Sequence, residues 1–542
     1  MTNGMLNVPA PVNEPVMNYV PGSPEALALK AEIDKQLNEE IEIPVIIGGE
    51  EIRTGDMGDC RCPHDHDHLL GRYHKAGPAE VEKAAQASKA AFHEWSEMDW
   101  RSRAAIMLRM ADLLTGKYRM VLNAATVLGQ SKTYHQAEID SACELIDFWR
   151  FNPYYMKEIF ANQPESAPGM WNFVEYRAIE GFIFAVTPFN FTSIAGNLPT
   201  APALMGNTVL WKPASSSVFS NYYLMKLFEE AGLPAGVINF IPGSGGKVGN
   251  PVMALPTLAG VHFTGSTEVF QGMWKVVGNN IAEYKTYPRI VGETGGKDFV
   301  FVHPSAKAEA VATGLLRGAF EFQGQKCSAA SRAYVPKSLW PAIKEAYTAQ
   351  VETIKMGSPL DQSNFMAAVI DEAAFDSITA YIDHAKNSSD AEIITGGGYD
   401  KSEGYFIEPT TVVTTDPRFK LMEEEIFGPV LTIYPYEDKD FEATLELCDT
   451  TSPYALTGAI FADDRYAVET AFKKLRHAAG NFYINDKPTG AVVGQQPFGG
   501  SRASGTNDKA GSAANLMRWT SVRTVKETFC PPTDYRYPFM GE

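Results

Sequence analysis

Two side chains of this sequence could act together on an acyl group, and each lies close to glycines. Cys327 follows a turn that contains Gly324 and has Lys326 and Ser328 as its neighbours, and Glu293 stands in a second glycine-rich stretch. A thiol nucleophile combined with a carboxylate base indicates covalent acyl chemistry, in which a thioester forms and water removes it. The residues alone leave open whether the thioester arises by oxidation or by acyl transfer.

Each of these residues also has an ordinary interpretation. A free cysteine is often a buried structural thiol, and a glutamate in a loop is often simply solvated. A reactive thiol requires an electropositive and accessible setting, which Lys326 favours for Cys327. The glycines around Glu293 permit the close approach of a ligand, and partial burial would raise the pKa of its carboxyl towards that of a general base.

Further polar residues follow predicted strands. Asn190 lies just after a strand at 182–186 and could donate its amide to an oxyanion, although it could also be an ordinary turn residue. Lys212 ends a strand at 208–212, where a nucleotide ribose is often bound, although a surface lysine is the simpler interpretation. The turn at 263–268 opens a helix whose free N–H groups would suit a pyrophosphate.

Two other patterns are weaker evidence of a nucleotide or metal site. The glycine-rich stretch 243–249 matches neither common nucleotide fingerprint, and Lys297 is followed by Asp298, so the hydroxyl that a P-loop needs for magnesium is missing. The cysteines and histidines of 60–68 alternate along the chain instead of showing zinc spacing. We therefore expect no metal site and no phosphoryl transfer.

The elements that must position these residues alternate between strand and helix. Helices are predicted at 24–38, 78–95, 103–114 and 136–151, before a Pro-rich stretch and an exposed two-stranded excursion that includes 173–179. From residue 180, strands at 182–186, 208–212, 237–241 and 260–264 alternate with helices, and a second α/β series opens at 299–302. This order predicts parallel sheets with ligands at the carboxyl ends of the strands.

Composition narrows the function classes. A net charge of −18 over 542 residues argues against nucleic-acid binding and against docking on anionic membranes. No apolar run is long enough for a membrane helix. The six cysteines are too scattered for a disulfide scaffold, and the N-terminus resembles neither a secretory signal nor a transit peptide. We expect a bacterial cytoplasm, with a processed mitochondrial form as the alternative.

In their order and mutual spacing, the motifs resemble the aldehyde dehydrogenase superfamily from about residue 40 to 530. The stretches that carry the resemblance are 188–191, 212–213, 263–266, 292–297, 324–327 and 424–429. Within the superfamily, the chain is most similar to the glutamate-γ-semialdehyde dehydrogenases, through 136–140, 144–148, 324–329, 481–485 and 494–506.

The resemblance implies an α/β protein with a Rossmann-like NAD-binding domain, an α/β catalytic domain and a small β oligomerisation arm. The expected ranges are 41–158 and 180–293 for NAD binding, 294–507 for catalysis, and 159–179 with 508–542 for the arm and tail. Residues 1–40 form an N-terminal lead-in without an assigned role. The arm implies a homodimer or a dimer-based oligomer, and the only other partner is a small-molecule substrate.

The resemblance also implies residue roles. The catalytic residues would be the nucleophile Cys327, the deacylation base Glu293 and the oxyanion-hole donor Asn190. The α-carboxylate of the substrate would be anchored by Ser328, Gly490 and Ala491. Phe191 and Phe498 would flank its aliphatic chain, and Glu144 would line the site. The cofactor would be held by Thr187, Lys212, Ser215, Gly265, Ser266, Thr267, Glu268, Val269, Glu425 and Phe427.

The implied reaction is the NAD-dependent oxidation of L-glutamate γ-semialdehyde to L-glutamate through a cysteine thioester, the last step of proline catabolism. Many NAD-preferring relatives have an acidic residue where this chain has Ser215, so NADP is a weaker alternative cofactor. Two alternative functions remain open. One is a dehydrogenase of another aldehyde, and the other is a cysteine-dependent acyl hydrolase that needs no dinucleotide.

Overall fold

A computed structural model describes residues 7–541. The first of its two large sheets has seven strands in the spatial order Arg289–Glu293, Leu258–Thr264, Phe182–Val186, Thr208–Lys212, Ile238–Phe240, Val45–Ile47 and Glu50–Ile52. The first five strands are parallel, and the last two form an antiparallel hairpin at the edge. All four strands that the sequence predicts after residue 180 are confirmed.

The strand Phe182–Val186, the middle one of the five parallel strands, shows why its sequence is a continuous apolar run. Phe182 and Phe184 pack into one buried cluster, whereas Ile183 and Ala185 pack into another. Because side chains alternate between the two faces of a strand, both faces of the sheet are covered.

The order of the parallel strands locates a crevice. From Phe182–Val186 the chain moves to Thr208–Lys212 on one side and later returns to Leu258–Thr264 on the other side. In an open parallel sheet, ligands bind at the carboxyl ends of the strands where this order reverses. The turns that carry Asn190 and Gly265 follow the two strands that flank the reversal.

The second large sheet has the spatial order Ala391–Thr395, Thr410–Thr414, Val430–Tyr436, Ala330–Pro336, Asp298–Val302, Thr457–Phe461 and Asn481–Ile484. Only its first strand is antiparallel to its neighbour. Residues 294–297 connect the two large sheets along the chain. A domain boundary at this place stays a prediction.

Helices cover the sheets. The α-helices are Pro24–Leu37, Pro78–Glu97, Trp100–Thr115, Arg119–Gln130, Tyr134–Ala137, Leu145–Ala161, Thr192–Leu204, Val218–Glu230, Asn250–Ala254, Thr267–Asn279, Ala308–Phe320, Trp340–Val351, Glu372–Lys386, Lys420–Glu423, Phe441–Thr450, Arg465–Lys474 and Ala513–Met517. The four predicted helices are confirmed, but the one predicted at 136–151 belongs to a longer run that contains a π-helical segment, Glu138–Glu144.

Shorter strands complete the fold. Ile41–Ile43, Asp65–His74 and Met57–Cys62 form a three-stranded sheet, Tyr399–Asp400 pairs with Phe406–Ile407, and Tyr454–Ala455 pairs with Ser501–Arg502. Within residues 7–541, no helix is both long and apolar enough to cross a bilayer.

The exposed excursion is a two-stranded antiparallel sheet. Met170–Arg177 pairs over its whole length with Ser521–Thr528. The excursion therefore takes its second strand from the C-terminal tail. The strand-like part of that tail begins at Ser521, because Trp519 is buried in the core beside the ring of His262.

Candidate active site

A cavity of about 280 Å³ brings together most of the predicted catalytic and substrate residues. Its walls come from both large sheets and from the π-helical segment. The predicted residues that line it are Cys327, Glu293, Ser328, Gly490, Ala491, Phe191, Phe498 and Glu144. Asn190 is not part of this lining and is 3% exposed.

A turn of unusual backbone geometry presents Cys327. Phe322, Gln323 and Gly324 all have left-handed φ values, of 53°, 55° and 67°. Non-glycine residues adopt this region at an energetic cost, and such strain is found where surrounding contacts enforce it. Here the Gln323 amide donates to the carbonyl groups of Ser131 and Ala368, at 3.1 and 2.8 Å.

The environment of Cys327 favours the protonated thiol. Burial, together with the nearby carboxylates of Glu293, Asp298 and Glu425, raises the pKa of Cys327 well above its ordinary value. Because the thiolate is the nucleophilic form, attack requires a base that takes the thiol proton.

Glu293 is held at the end of its strand by the segment that follows Phe498. Thr294 donates its N–H to the Ser504 carbonyl at 3.0 Å, and Thr506 donates its N–H to the Gly292 carbonyl at 2.9 Å. Burial raises the pKa of the Glu293 carboxyl to about 8. A carboxyl with this pKa can exchange protons near neutral pH.

Gly295 and Gly296, which lack side chains, leave room for the Glu425 carboxylate and the Cys327 backbone between Glu293 and the second sheet. A Cβ on Gly295 would lie 2.2 Å from Oε2 of Glu425, and a Cβ on Gly296 would lie 2.1 Å from the Cys327 carbonyl oxygen. The Gly296 N–H donates to Oε1 of Glu425 at 2.8 Å. Side chains at either position would push Glu425 or the Cys327 backbone away.

Asn190 is attached to the chain that leads into Cys327. Its Nδ2 donates to the Gln325 carbonyl at 3.0 Å. An amide group carries two N–H donors, so this bond fixes the orientation of the side chain and still leaves a second donor on the same nitrogen.

The predicted carboxylate anchor lies beside Cys327. The hydroxyl groups of Ser328 and Thr489 are 2.8 Å apart. Gly490 follows Thr489 and has a left-handed φ of 97°, which suits glycine. We call residues 487–498 the anchor loop, because this segment contains Gly490, Ala491 and Phe498.

Glu144 is the last residue of the π-helical segment. Its Oε2 accepts a hydrogen bond from the Ser193 hydroxyl at 2.9 Å. Burial, with a smaller contribution from the Asp140 carboxylate, raises the pKa of Glu144 to about 8. The cavity therefore contains two carboxyl groups, Glu293 and Glu144, with raised pKa values.

Of the predicted cofactor residues, Thr187 and Lys212 end two neighbouring parallel strands. The Thr187 hydroxyl accepts a hydrogen bond from the indole N–H of Trp211 at 3.0 Å. The Lys212 ammonium donates to the Pro213 carbonyl at 3.1 Å. Burial lowers the pKa of Lys212 to about 8.

The other predicted cofactor residues surround a helix N-terminus and a loop of the second sheet. Ser266 caps the helix Thr267–Asn279 by accepting the N–H of Val269 at 3.4 Å, Gly265 donates its N–H to the Glu293 carbonyl at 3.2 Å, and Glu268 lies in the first turn. Burial raises the pKa of Glu425 to about 7.

Phe427 and Ser215 complete the predicted cofactor set. Phe427 has a left-handed φ of 57°, and its ring meets that of Phe189 edge to face. Ser215 is exposed at the start of a short turn and lies near the Tyr73 hydroxyl.

Several buried charges near the site were not predicted from the sequence. Lys132 pairs with Asp140 at 2.6 Å, and Lys326 pairs with Glu321 at 3.2 Å. Burial lowers the pKa of Lys297, whose ammonium donates to the Ser331 hydroxyl, to about 7. No local pattern marks such pairs, although a lysine within an otherwise apolar or helical stretch would have been a weak signal.

The cysteine- and histidine-rich segment, residues 60–68, contributes to the buried core and to a side-chain hydrogen bond. Cys60 and Cys62 are buried, and Nδ1 of His64 lies 2.7 Å from the Ser131 hydroxyl. Within residues 7–541, no group of three or more histidine, cysteine, aspartate or glutamate side chains could hold a metal ion.

Comparison with known proteins gives one consistent result. Residues 53–525 match the aldehyde dehydrogenase family. The chain is 55% identical over 537 residues to the mitochondrial Δ1-pyrroline-5-carboxylate dehydrogenase of Dictyostelium discoideum, covering 98% of this chain and 96% of that relative. It is 51% identical over 536 residues to the Δ1-pyrroline-5-carboxylate dehydrogenase of Agaricus bisporus, covering 98% of each.

A solved structure extends the similarity to three dimensions. The Δ1-pyrroline-5-carboxylate dehydrogenase of Mycobacterium tuberculosis, crystallised with NAD, superposes with a TM-score of 0.96 at 50% identity and covers all of both chains. The aldehyde dehydrogenase fold expected from the sequence is thereby confirmed. The chain belongs to the aldehyde dehydrogenase family.

Proposed function

We propose that the protein oxidises L-glutamate γ-semialdehyde, the open form of Δ1-pyrroline-5-carboxylate, to L-glutamate with NAD. The observation that carries the proposal is one cavity that holds Cys327 and Glu293 together with Ser328 and the anchor loop. The relatives described above are named for the corresponding activity. The reaction would complete proline catabolism.

The residues at the strand ends fit a dinucleotide. The Lys212 ammonium is buried, the Glu425 carboxylate is partly buried, and both are positioned by backbone groups. Such an ammonium and carboxylate are suitable partners for ribose hydroxyls, and the first turn after Ser266 offers N–H groups to a pyrophosphate. When bound, NAD accepts a hydride, and the protein supplies position and electrostatics.

The first half of the reaction begins at Cys327. Water in the cavity accepts the thiol proton and passes it to solvent, and the sulfur forms a bond to the aldehyde carbon. The oxygen of the adduct becomes an alkoxide, which is stabilised by the Asn190 amide and by the backbone N–H of Cys327. Departure of hydride from this carbon restores the C=O bond and leaves a thioester on Cys327.

The second half releases the product. Glu293 takes a proton from a water molecule, and the hydroxide attacks the thioester carbon. The C–S bond then breaks, Cys327 regains a proton, and glutamate leaves.

Substrate choice follows from the far end of the cavity. The Ser328 hydroxyl and the backbone N–H groups of Gly490 and Ala491 would bind the α-carboxylate, because small residues let backbone donors approach an anion. Phe191 and Phe498 would flank the aliphatic carbons. An aldehyde without a carboxylate would leave these donors without a charged partner.

The direct test follows NADH formation with Δ1-pyrroline-5-carboxylate. Cys327→Ala should abolish it, whereas the matched variant Cys530→Ala, which changes an exposed free cysteine, should retain it. Substantial activity in Cys327→Ala would overturn the nucleophile assignment. If hexanal is a better substrate than the semialdehyde, the carboxylate anchor is wrong.

A second measurement separates oxidation from acyl hydrolysis. NAD at 100 times its dissociation constant should stabilise the fold by about 2.7 kcal/mol through mass action. Ester hydrolysis without any thermal shift on adding NAD would instead favour a cysteine hydrolase.

We also propose a dimer-based assembly in a reducing compartment. Trp171, Val522 and Phe529 are exposed on or beside the two-stranded arm, and all six cysteines are free thiols. The compartment is a bacterial cytoplasm or, in view of the name of the Dictyostelium relative, a mitochondrion. Sedimentation of the purified protein as a monomer would contradict the assembly.

A further inference from the structure

Residues 13–19, which we call the N-terminal strap, connect two walls of the cavity. Asn13 Nδ2 donates both to Oδ2 of Asp147 at 2.7 Å and to the Val493 carbonyl at 2.8 Å. Its Oδ1 accepts from the Gln495 amide at 3.0 Å. One side chain therefore joins the helix Leu145–Ala161 to the anchor loop.

Glu14 adds a largely buried ionic connection. Its backbone N–H donates to Oδ1 of Asp147 at 2.8 Å, and its carboxylate accepts from Arg119 at 2.6 Å and from Arg150 at 2.8 Å. The Glu14 side chain is 7% exposed. Both carboxylate oxygens of Asp147 are thus occupied by the strap.

The strap also holds the start of the π-helical segment. The Met17 N–H donates to Oε1 of Glu138 at 2.9 Å, and the Tyr19 hydroxyl donates to Oε2 of the same carboxylate at 2.8 Å. Glu138 begins the π-helical segment, and Asp147 follows the segment closely. The strap therefore forms hydrogen bonds with residues before and after Glu144 in the chain. Such contacts fix the register in which Glu144 faces the cavity.

The middle of the strap reaches the cavity itself. Val16 lines the cavity together with Ile139 and Val492 and is 45% exposed, which places it at the mouth. Nearby, a Cβ on Gly494 would lie 2.1 Å from the ring of Phe151, so the anchor loop packs directly on the helix that Asn13 also binds. The strap therefore covers the contact between the anchor loop and this helix, which is already tightly packed.

We infer that the N-terminal strap is part of the substrate site. Asn13 is a positioning residue that sets the anchor loop against the helix after Glu144, and Val16 forms an apolar rim through which the aldehyde enters. Apart from the bond between Glu14 and Arg119, the hydrogen bonds of Asn13, Glu14, Met17 and Tyr19 described above go to this helix region and to the anchor loop. The inference rests on the proposed function for the identity of the substrate.

Asn13→Ala tests the positioning role, with Asn18→Ala, an exposed asparagine of the same strap, as the matched control. We expect Asn13→Ala to raise the KM for the semialdehyde by about tenfold, the factor that a hydrogen bond to a charged group is worth. We expect kcat, the KM for NAD and the kcat/KM for hexanal to stay within about twofold.

A strap without a role in substrate binding would give a different result. Equal losses with hexanal and with the semialdehyde, accompanied by a lower Tm, would show that the strap only stabilises the fold and would overturn the inference. An unchanged KM for the semialdehyde would overturn it as well.

Val16→Trp provides a second test that does not depend on Asn13. Because Val16 is half exposed, the larger ring should be accommodated and should narrow the mouth, lowering kcat/KM for hexanal more than for acetaldehyde. Val16→Ala should leave the ratio of kcat/KM for hexanal to kcat/KM for acetaldehyde unchanged. An equal ratio in the wild type, Val16→Trp and Val16→Ala would show that Val16 does not form the rim of the cavity mouth. If the wild-type enzyme does not oxidise the semialdehyde, the proposed function is wrong, whereas the rim is still judged by this ratio.

Discussion

Lys132 and Asp140 form a buried ion pair that ties the two sides of the reaction centre together. Their charged atoms are 2.6 Å apart, and the ammonium lies 4.4 Å from the ring centre of Phe191 and 4.3 Å from that of Phe322. Asp140 also accepts the N–H groups of Thr192 and Ser193. The pair thus joins the loop after Asn190 to the strained turn before Cys327.

Lys132→Met should destabilise the protein and lower its activity. Removing one partner of a buried pair leaves an uncompensated charge, which costs about 3–5 kcal/mol. Urea unfolding measures this loss. Lys117→Met removes an exposed pair with Glu230 and should change neither stability nor rate. If both variants unfold at the same urea concentration, the buried pair has no structural role.

Glu293→Gln should separate the two halves of the reaction. The glutamine cannot accept a proton from water, so the thioester should accumulate on Cys327 while steady-state turnover falls by about 10²–10⁴-fold. Rapid mixing should show a burst of NADH followed by slow release, and mass spectrometry should detect the acylated chain. A slow first turnover with normal thioester hydrolysis would assign Glu293 to the wrong step.

Thioester hydrolysis in the wild-type enzyme should accelerate as the pH rises through about 8. Burial raises the pKa of Glu293 to this value, so the base form is a minority at pH 7 and predominates only above pH 8. Rapid-quench kinetics between pH 6 and 9 measures the profile. Glu309→Gln, a change at an exposed position, should leave the midpoint unchanged, and a midpoint near pH 4.5 would show that burial does not perturb Glu293.

The parallel strands and the reactive residues could be predicted because their signals are local. Phe182–Val186 is a continuous apolar run, and Cys327 and Glu293 carry reactive groups in recognisable motifs. The helix Arg119–Gln130 was not predicted. Its polar residues, such as Asn123 and Gln130, are buried and hydrogen-bonded within the protein, so both of its faces are covered.

Tertiary contacts could not be predicted in the same way. Asn13 bonds with Val493 across most of the chain, and residues 7–20 have no regular secondary structure that a periodic pattern would reveal. The π-helical segment was predicted as ordinary helix, because one additional residue in a turn leaves no clear mark on the spacing of apolar residues.

Gly295→Ala should weaken NAD binding without unfolding the protein. The new Cβ would lie 2.2 Å from Oε2 of Glu425 and would push this carboxylate out of position. Calorimetric titration should show a clear loss of NAD affinity. Gly272→Ala is the matched control, because its Cβ would meet no atom within 4 Å and its helix should become slightly more stable. Equal affinity in both variants would remove Glu425 from the cofactor site.

Ser215→Glu should sharpen the preference for NAD. Ser215 is exposed three residues after the strand-end Lys212. If it faces the ribose, as the family resemblance predicts, a carboxylate there would repel a 2′-phosphate. Charges about 4 Å apart repel by roughly 1–4 kcal/mol between bulk water and a protein surface, so kcat/KM for NADP should fall about tenfold or more while that for NAD is maintained. Ser216→Glu places the same charge on the adjacent exposed residue and should change the ratio less. If both variants discriminate equally between NAD and NADP, the net charge of the surface determines cofactor choice, and Ser215 does not face the ribose.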